Sequence, residues 1–370
     1  RELRRAQRAL PGGARPKGEV MRAGMRAGAA TLAMITSACA IEPSAFSPGC
    51  MVGVVASPAG FEAHGALEFL GGVELRGDER FGGISGLTVA SAGGGPETVV
   101  LSAVTDRGDF LTLQAWPPPP DGTVRARCSR LTPLEGAPTK AGKPSADAEG
   151  LALLPSDPSL RIVSFEQLHR LEIFDPVAGG APLGAGPALG DISALGDNLG
   201  LEALTALPSG ALLAGAESPD RPAGDHPVWR IAPTDEPGGR AFADAEGPAF
   251  SLATAGPGFG LVGFDVTPAG NLLVMERSYA PEVGNAIAIS WLPGPAAETA
   301  TGRVEPAALA RLDGGARFPI DNFEGIASSR ARDGRTLVWI VSDDNFSDSQ
   351  KTLLYLFLFD EAALLADAEG

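Results

Sequence analysis

The segment Asp147-Ala148-Glu149-Gly150-Leu151-Ala152 contains the unit that decides the fold, which is an acidic residue beside glycine at the start of an apolar run. A second apolar run follows and ends in Ser164-Phe165-Glu166, so each copy predicts two paired strands with charge at their open ends. Related segments recur every 52 to 64 residues, at 83–87, 200–204, 263–266 and 323–327. A period of that length has room for four short strands and their turns.

The rest of the chain has the same texture, because 49 glycines and 32 prolines in 370 residues separate short apolar runs. The clearest predicted strands are 98–104, 160–165, 212–216, 271–275 and 336–342, while only 307–312 and 361–365 have helical spacing. Repeated all-β units of this length are typical of a β-propeller.

We therefore predict an all-β protein with a single β-propeller, in which five blades are visible in the sequence and a sixth is expected. Pairing of residues 66–75 with 352–359 would close the ring. A large β-sandwich, or two small all-β domains, is the alternative fold.

Composition excludes several classes of function. The chain has 45 acidic and 29 basic residues, a formal charge of −16, which argues against a nucleic-acid partner. Its hydrophobic fraction of 44% excludes a disordered acidic chain, and no apolar run after residue 40 approaches the length of a membrane span. We predict a monomer without a transmembrane segment.

The amino-terminal region predicts export. Arg22 and Arg26 precede a run of small and apolar residues that ends in Ala38-Cys39-Ala40, which is the pattern of a secretory signal. Loss of the first 40 residues, with eight basic and two acidic side chains, would change the formal charge from −16 to −22. We predict a periplasmic or extracellular protein; a lipid anchor on Cys39 is the weaker alternative, because Thr36 stands where leucine is usual.

The predicted segments of the chain are an upstream extension or linker at 1–20, a signal peptide at 21–40, an amino-terminal linker at 41–65, the propeller at 66–360 and a tail at 361–370. Cleavage after Ala40 would leave Cys50 and Cys128. These two cysteines could form a disulfide or remain free, and the sequence leaves both possibilities open.

The acidic residues of the repeat are expected to meet at one rim, because the start of one strand and the end of the next share one end of an antiparallel hairpin. The expected neighbours are Glu149 with Glu166, Glu202 with Glu217, Asp265 with Glu276, and Glu324 with Asp343. Clustered carboxylates repel one another unless cations neutralise them, and such oxygen ligands suit Ca²⁺. The predicted metal ligands are Asp106, Glu149, Glu166, Glu202, Glu217, Glu276, Glu324 and Asp343.

Cationic side chains follow the same strands, which favours a small anionic substrate such as a phosphate ester. We predict that Arg107, Arg277 and Lys351 bind this substrate and that Glu166 and His169 are catalytic. The alternative is structural, with the same charges forming salt bridges between blades or capping turns.

Several of these motifs, in one order, resemble the exported bacterial phytase-like family, also called esterase-like activity of phytase. The resemblance covers about residues 66–360, and its motifs are 81–87, 106–108, 147–151, 164–166 with His169-Arg170, 198–204, 321–326 and 342–346. It implies a propeller related to calcium-dependent phytases, in which Ca²⁺ and acidic residues hydrolyse phosphomonoesters without a covalent nucleophile. Propeller phytases resemble Asp-Ala-Asp-Asp-Pro where this chain has 147–151, so their calcium ligands do not transfer residue by residue.

Other hydrolase motifs are absent from the sequence. Ser85 has glycine two residues before it but Leu87 two residues after it, so it is not a nucleophile elbow, and three histidines do not form HExxH. The sequence therefore predicts an exported calcium-dependent hydrolase of phosphoric esters. The alternatives are a non-catalytic propeller that binds a ligand or partner, and a metal-dependent ester or lactone hydrolase.

Overall fold

The computed structural model describes residues 51–55, 62–92, 98–119, 123–134, 147–190, 192, 195, 200–217, 225–234, 242–314 and 318–369. Within them the strands are β1 Met51–Val55, β2 Glu62–His64, β3 Leu67–Arg76, β4 Ile84–Ala92, β5 Val99–Thr105, β6 Asp109–Trp116, β7 Arg125–Pro133, β8 Ala148–Leu154, β9 Asp157–Phe165, β10 Arg170–Phe174, β11 Gly184–Ala185, β12 Ala203–Ala206, β13 Leu212–Gly215, β14 His226–Ile231, β15 Phe250–Leu252, β16 Gly260–Val266, β17 Leu272–Ala280, β18 Gly284–Leu292, β19 Gly302–Val304, β20 Ala307–Leu312, β21 Asn322–Arg330, β22 Thr336–Asp343 and β23 Thr352–Phe359. The helices are α1 Gly294–Thr299 and α2 Glu361–Glu369, and neither has the length and apolar character needed to cross a membrane.

These strands form five sheets, which are the blades of a propeller. Blade 1 is β4-β5-β6-β7, blade 2 is β8-β9-β10-β11, blade 3 is β12-β13-β14-β15-β19, blade 4 is β16-β17-β18-β20, and blade 5 is β21-β22-β23-β3-β1 with β2 paired to β3. Their innermost strands β4, β8, β12, β16 and β21 neighbour one another in a closed ring. The predicted all-β propeller is confirmed.

The repeated glycine has a structural reason, since it lies where one inner strand meets the next. A Cβ atom on Gly86 would lie 2.4 Å from the Glu149 carbonyl oxygen, and one on Gly325 would lie 2.8 Å from the Leu87 Cβ atom. Only glycine lets the inner strands approach this closely without a shift of backbone. The glycine that recurs in the sequence therefore marks the positions where the inner strands pack closely at the centre of the propeller.

The core lies between blades. Trp339 belongs to an apolar cluster shared by blades 5 and 1, Tyr355 to one shared by blades 4 and 5, and Trp229 to one shared by blades 2 and 3. Two further clusters join blade 3 to blade 4 and blade 1 to blade 2. Each blade therefore buries both faces against its neighbours, as radial packing requires.

Closure of the ring follows the predicted pairing. Strand β3 pairs with β23 in antiparallel register from Leu67 opposite Phe359 to Leu75 opposite Thr352. These strands complete blade 5 and form no separate sheet, so the expected sixth blade is not found among the described residues. The last blade takes its strands from both ends of the chain.

Most of the remaining secondary-structure predictions are confirmed, and one predicted helix is wrong. All five strands named from the sequence are present, and 361–365 begins helix α2, whose Glu361 accepts a 3.0 Å hydrogen bond from Thr336. The helix predicted at 307–312 is wrong, because this segment is β20 and pairs with β18. Strands β1 and β2 lie inside the segment predicted to be a linker.

Cys128 lies in β7 and is disulfide-bonded. Cys39 and Cys50, the other cysteines of the chain, lie outside the described residues, as does the predicted signal peptide.

Candidate metal centre

Three carboxylates of blade 2 form the centre of an acidic group at one end of the channel. One carboxylate oxygen from each of Asp147, Glu149 and Glu166 lies within 4.8 Å of the others. Asp147 immediately precedes β8 and Glu166 immediately follows β9, and the Glu166 backbone N–H donates to the Asp147 carbonyl over 2.9 Å. The hairpin therefore holds the three side chains together, and the predicted Glu149–Glu166 proximity is confirmed.

Neighbouring blades add carboxylates that interact with this group. Burial raises the pKa of Glu149 well above its usual range, and the charges of Glu202, Glu324 and Glu166 raise it further. Burial likewise raises the pKa of Glu202 strongly, with added repulsion from Glu166 and Glu217. The acidic rim, as used below, comprises Asp106, Asp147, Glu149, Glu166, Glu202, Glu217, Glu324 and Asp343.

Asn322 joins two carboxylates of blade 5. Its side-chain nitrogen donates to Glu324 Oε1 over 2.9 Å and to Asp343 Oδ2 over 3.2 Å, which confirms that the predicted pair lies together. Burial raises the pKa of Glu324 to about 7, although the Arg277 guanidinium, 3.4 Å from Glu324 Oε1, opposes this shift. Burial and the charge of Glu324 raise the pKa of Asp343 well above its usual range.

Asp106 extends the rim into blade 1. Burial and the neighbouring Asp147 charge raise its pKa to about 6, against the effect of Arg107. Its Oδ1 atom is buried and has no hydrogen-bond partner among the described residues. Gly83 is required beside it, because the φ of Gly83 is 63° and a Cβ atom there would lie 2.1 Å from Asp106 Oδ1.

The predicted cations do not all lie free at the rim. Arg277 contacts Glu324. The Arg107 guanidinium lies 3.2 Å from the centre of the Phe346 ring and donates to the Glu79 carbonyl over 3.1 Å.

Lys351 contacts the outer part of blade 5, where its Nζ atom lies 3.1 Å from a carboxylate oxygen of Glu74 in β3. His169 is half-buried in the turn between β9 and β10, three residues after Glu166. The substrate-binding and catalytic roles of these residues stay predictions.

Glu276 departs from the predicted arrangement. It is 1% exposed and accepts hydrogen bonds from His226 Nε2 at 2.9 Å, Thr254 Oγ1 at 3.0 Å and the Ala255 N–H at 2.9 Å. Its partner across the strands is Leu261, so the predicted Asp265–Glu276 pairing is wrong. Glu276 fits the structural alternative for that residue, because protein donors already bind its carboxylate.

Two rim features were not selected from the sequence. Asp147 was visible as the first residue of the Asp-x-Glu motif, but its nearness to Glu149 and Glu166 depends on the turn before β8. Asn322 lies in the motif 321–326 but carries no charge, so it was not selected as a site residue, yet it joins Glu324 to Asp343.

Directly behind the rim the channel is narrow. The inner strands leave a cavity of about 10 Å³, whose lining includes Leu151, Phe264 and Ile326. A cavity of about 620 Å³ lies between blades 3 and 4, where Glu276 forms part of its wall, and no acidic-rim residue lines it.

The fold and this site define a β-propeller with a carboxylate-rich channel rim. The chain belongs to the phytase-like family, described as esterase-like activity of phytase, whose model matches residues 79–346. No curated protein matches the sequence.

Solved structures give only distant likenesses. A PQQ-bound aldose sugar dehydrogenase from Streptomyces coelicolor is 14% identical, with 84% of this chain and 100% of that chain covered and a TM-score of 0.38. A mannose phosphorylase from Leishmania mexicana, in complex with phosphate ion, is 9% identical, with 85% and 88% covered and a TM-score of 0.37. A protein of unknown function from Dyadobacter fermentans is 11% identical, with 85% and 100% covered and a TM-score of 0.39. Likenesses this weak carry no argument about activity.

Proposed function

We propose that this protein is a metal-dependent hydrolase of phosphate esters and that the acidic rim is its active site. The observation that carries the proposal is the group of three carboxylates, Asp147, Glu149 and Glu166, with oxygens within 4.8 Å of one another. Family membership supports an enzymatic role. Calcium is the first candidate ion, because carboxylate oxygens on loops and strand ends match its preference for flexible oxygen coordination.

The residues present fit such an ion. Burial and mutual repulsion raise the pKa of Glu149 and of Glu202, so ionising these carboxyls fully requires added positive charge. Asp147, Glu149 and Glu166 would hold the ion, with Glu202 and Asp106 next to them in the electrostatic network. Bound calcium would supply neutralisation of phosphate charge and a more acidic water molecule.

The substrate is proposed to be an anion because Arg277 belongs to the same site. Its guanidinium contacts Glu324, and its Nε atom is buried without a hydrogen-bond partner among the described residues. A guanidinium with an unused donor suits a phosphate oxygen. Arg107 and Lys351 would have to leave Phe346 and Glu74 to take part.

Glu324 is the proposed carrier of a proton. In the metal-free protein its pKa is about 7, so the carboxyl is partly protonated at neutral pH, and in this protonated form it would donate to an alcohol that leaves phosphorus. Asn322 and Arg277 orient that carboxyl. Glu166 and His169 remain proposed catalytic residues. Export of the protein through residues 21–40 also remains a proposal.

Phosphate release tests this function. Wild-type protein is expected to release phosphate from phytate or p-nitrophenyl phosphate in calcium and not in EGTA, and Glu166→Gln should lose most of this activity. Glu282→Gln, at an exposed position of the β17–β18 turn, is the matched control and should behave as wild type. Absence of calcium-dependent release from both compounds would remove phosphate-ester hydrolysis from consideration.

A second candidate is hydrolysis of carboxylic esters or lactones, which the family description favours by its words "esterase-like". The same rim would serve, since a metal ion can polarise a carbonyl oxygen as well as a phosphoryl oxygen. p-Nitrophenyl acetate and a simple lactone, assayed with the same variants, separate the two candidates. Calcium binding without turnover of any of these compounds would indicate a non-catalytic binding propeller.

A further inference from the structure

The channel has a second mouth at the end opposite the acidic rim. The inner strands carry rim residues near their starts, such as Glu149 and Glu324, and a different set of residues further along. A cavity of about 180 Å³ lies there, lined by residues of all five inner strands. We call this cavity the distal mouth; its polar lining residues are Thr88, Thr205, Asp265 and Ser328.

Asp265 supplies the carboxylate of the distal mouth. It is 8% exposed and is the one charged residue among those that line the cavity. The Ser328 hydroxyl donates to Asp265 Oδ2. Burial raises the pKa of Asp265 to about 7, although hydrogen bonds from the Ser328 hydroxyl and from the backbone of Ser328 and Val266 oppose this shift. A proton or a cation would neutralise the charge of this buried carboxylate.

The other polar groups of the distal mouth are uncharged oxygen donors. Thr88, Thr205 and Ser328 are 7%, 5% and 7% exposed, and they come from blades 1, 3 and 5. Asp265 comes from blade 4, so polar residues of four strands line one space. The remaining residues that line the cavity are apolar, so Asp265 is its one source of negative charge.

We propose that the distal mouth binds a monovalent alkali cation, Na⁺ or K⁺, through the Asp265 carboxylate and the hydroxyls of Thr88, Thr205 and Ser328. Charge balance favours a monovalent ion, because one carboxylate neutralises one positive charge and a divalent ion would leave a buried excess. Hard oxygen donors suit alkali ions, and the cavity has room for water to complete the coordination shell. No acidic-rim residue lines the distal mouth, so this proposal does not depend on the proposed activity.

Thermal unfolding of the full chain tests the proposal at constant ionic strength in KCl, NaCl or N-methyl-D-glucamine chloride, whose cation is too large to enter as a dehydrated ion. EGTA in every sample removes divalent ions from the acidic rim. A cation that binds only the folded state should raise the wild-type melting temperature by about 2 °C at ten times its Kd. Asp265→Asn should abolish this rise, and Thr205→Val should shift it to higher salt.

Asp348→Asn is the matched control, because it removes an exposed carboxylate and should keep the full response. If Asp265→Asn does not fold, Thr205→Val and Thr88→Val decide the matter, supported by ²³Na relaxation broadened by wild-type protein and less by the variants. Equal melting temperatures of wild type in the three salts would overturn the proposal. So would an unchanged salt response in Asp265→Asn, or in both threonine variants.

Discussion

Replacing Glu149 by glutamine is expected to stabilise the metal-free protein and to weaken its response to calcium. Glu149 is 8% exposed and lies with Asp147 and Glu166 in a group whose carboxylate oxygens are within 4.8 Å of one another. Glutamine keeps nearly the same shape but removes the charge. The substitution therefore isolates the electrostatic contribution of one rim carboxylate.

The size of the effect follows from two estimates. Two unit charges 4.8 Å apart repel by about 3 kcal/mol at an effective dielectric constant of 20. Protonation limits this cost: a carboxyl with an ordinary pKa of 4.5 that stays neutral in the folded protein costs about 3 kcal/mol at pH 7. Glu149→Gln should thus gain up to about 3 kcal/mol at pH 7, or about 5 °C in melting temperature.

The sign of the pH dependence is fixed by the direction of the pKa shift. Because the pKa of Glu149 is raised in the folded state, the folded protein holds more protons than the unfolded chain above pH 4.5, and wild-type stability falls as pH rises. The difference between Glu149→Gln and wild type should therefore be small at pH 5 and grow toward pH 8. In calcium the wild type should become the more stable of the two proteins, because the ion stabilises the wild type and the variant has one ligand fewer.

Thermal unfolding of both proteins at pH 5, 7 and 8, in EGTA and in calcium, measures the stability difference, its pH dependence and the calcium response. Glu282→Gln is again the control, because it removes an exposed charge away from the rim. If Glu149→Gln and wild type melted together in EGTA at pH 8 and gained equally from calcium, the charge of Glu149 would neither destabilise the metal-free protein nor bind the ion.

Three further expectations concern other parts of the molecule. Gly86→Ala should lose about 1–3 kcal/mol of unfolding free energy, measured with urea, because its Cβ atom would lie 2.4 Å from a backbone oxygen. Gly184→Ala, where a Cβ atom meets nothing within 4 Å, should be neutral, and equal losses would contradict the tight packing of the inner strands. Glu276→Ala should lower the free energy of unfolding by about 3–5 kcal/mol, because it leaves His226 and other buried donors unpaired, and Glu276→Gln should lower it less. Both variants should keep the calcium response; loss of that response would indicate that Glu276 takes part in calcium binding. The stability of metal-free wild type should fall as pH rises from 4 to 6, because the folded pKa of Asp106 is about 6. Asp106→Asn should flatten this part of the stability–pH profile, and an unchanged slope would argue against the raised pKa.

The fold could be predicted because its repeat has a physical cause. Gly86 and Gly325 recur in sequence since inner strands meet there, and a repeated glycine before an apolar strand is visible without a structure. The number of blades was harder to predict from the sequence. Strands β3 and β23 have no repeat partner in sequence, and only their pairing shows that they complete blade 5.

The predicted proximity of rim residues was confirmed where a single hairpin fixed both of them. Glu149 with Glu166 and Glu324 with Asp343 follow from antiparallel geometry alone. It was wrong for Asp265, because the β16–β17 register shifts between Leu261 and Gly263 and the inner-strand glycine is Gly263.

Side-chain contacts between distant segments were beyond sequence reasoning. Lys351 reaches Glu74 across 277 positions of chain, and the Arg107 guanidinium lies over Phe346. Both cations follow a strand end, as predicted, but their charged groups pack against partners that spacing does not reveal.

The balance of charge supports the proposed ligand-binding role of the acidic rim over a structural one. If the rim existed to join blades by salt bridges, nearby cations would lower the pKa of its carboxyls below their usual range. The opposite holds for Asp106, Glu149, Glu202 and Asp343, because burial and like charge outweigh the effect of Arg107 and Arg277. A protein that retains such uncompensated acids sacrifices stability at neutral pH, which is typical of a site that a cation completes.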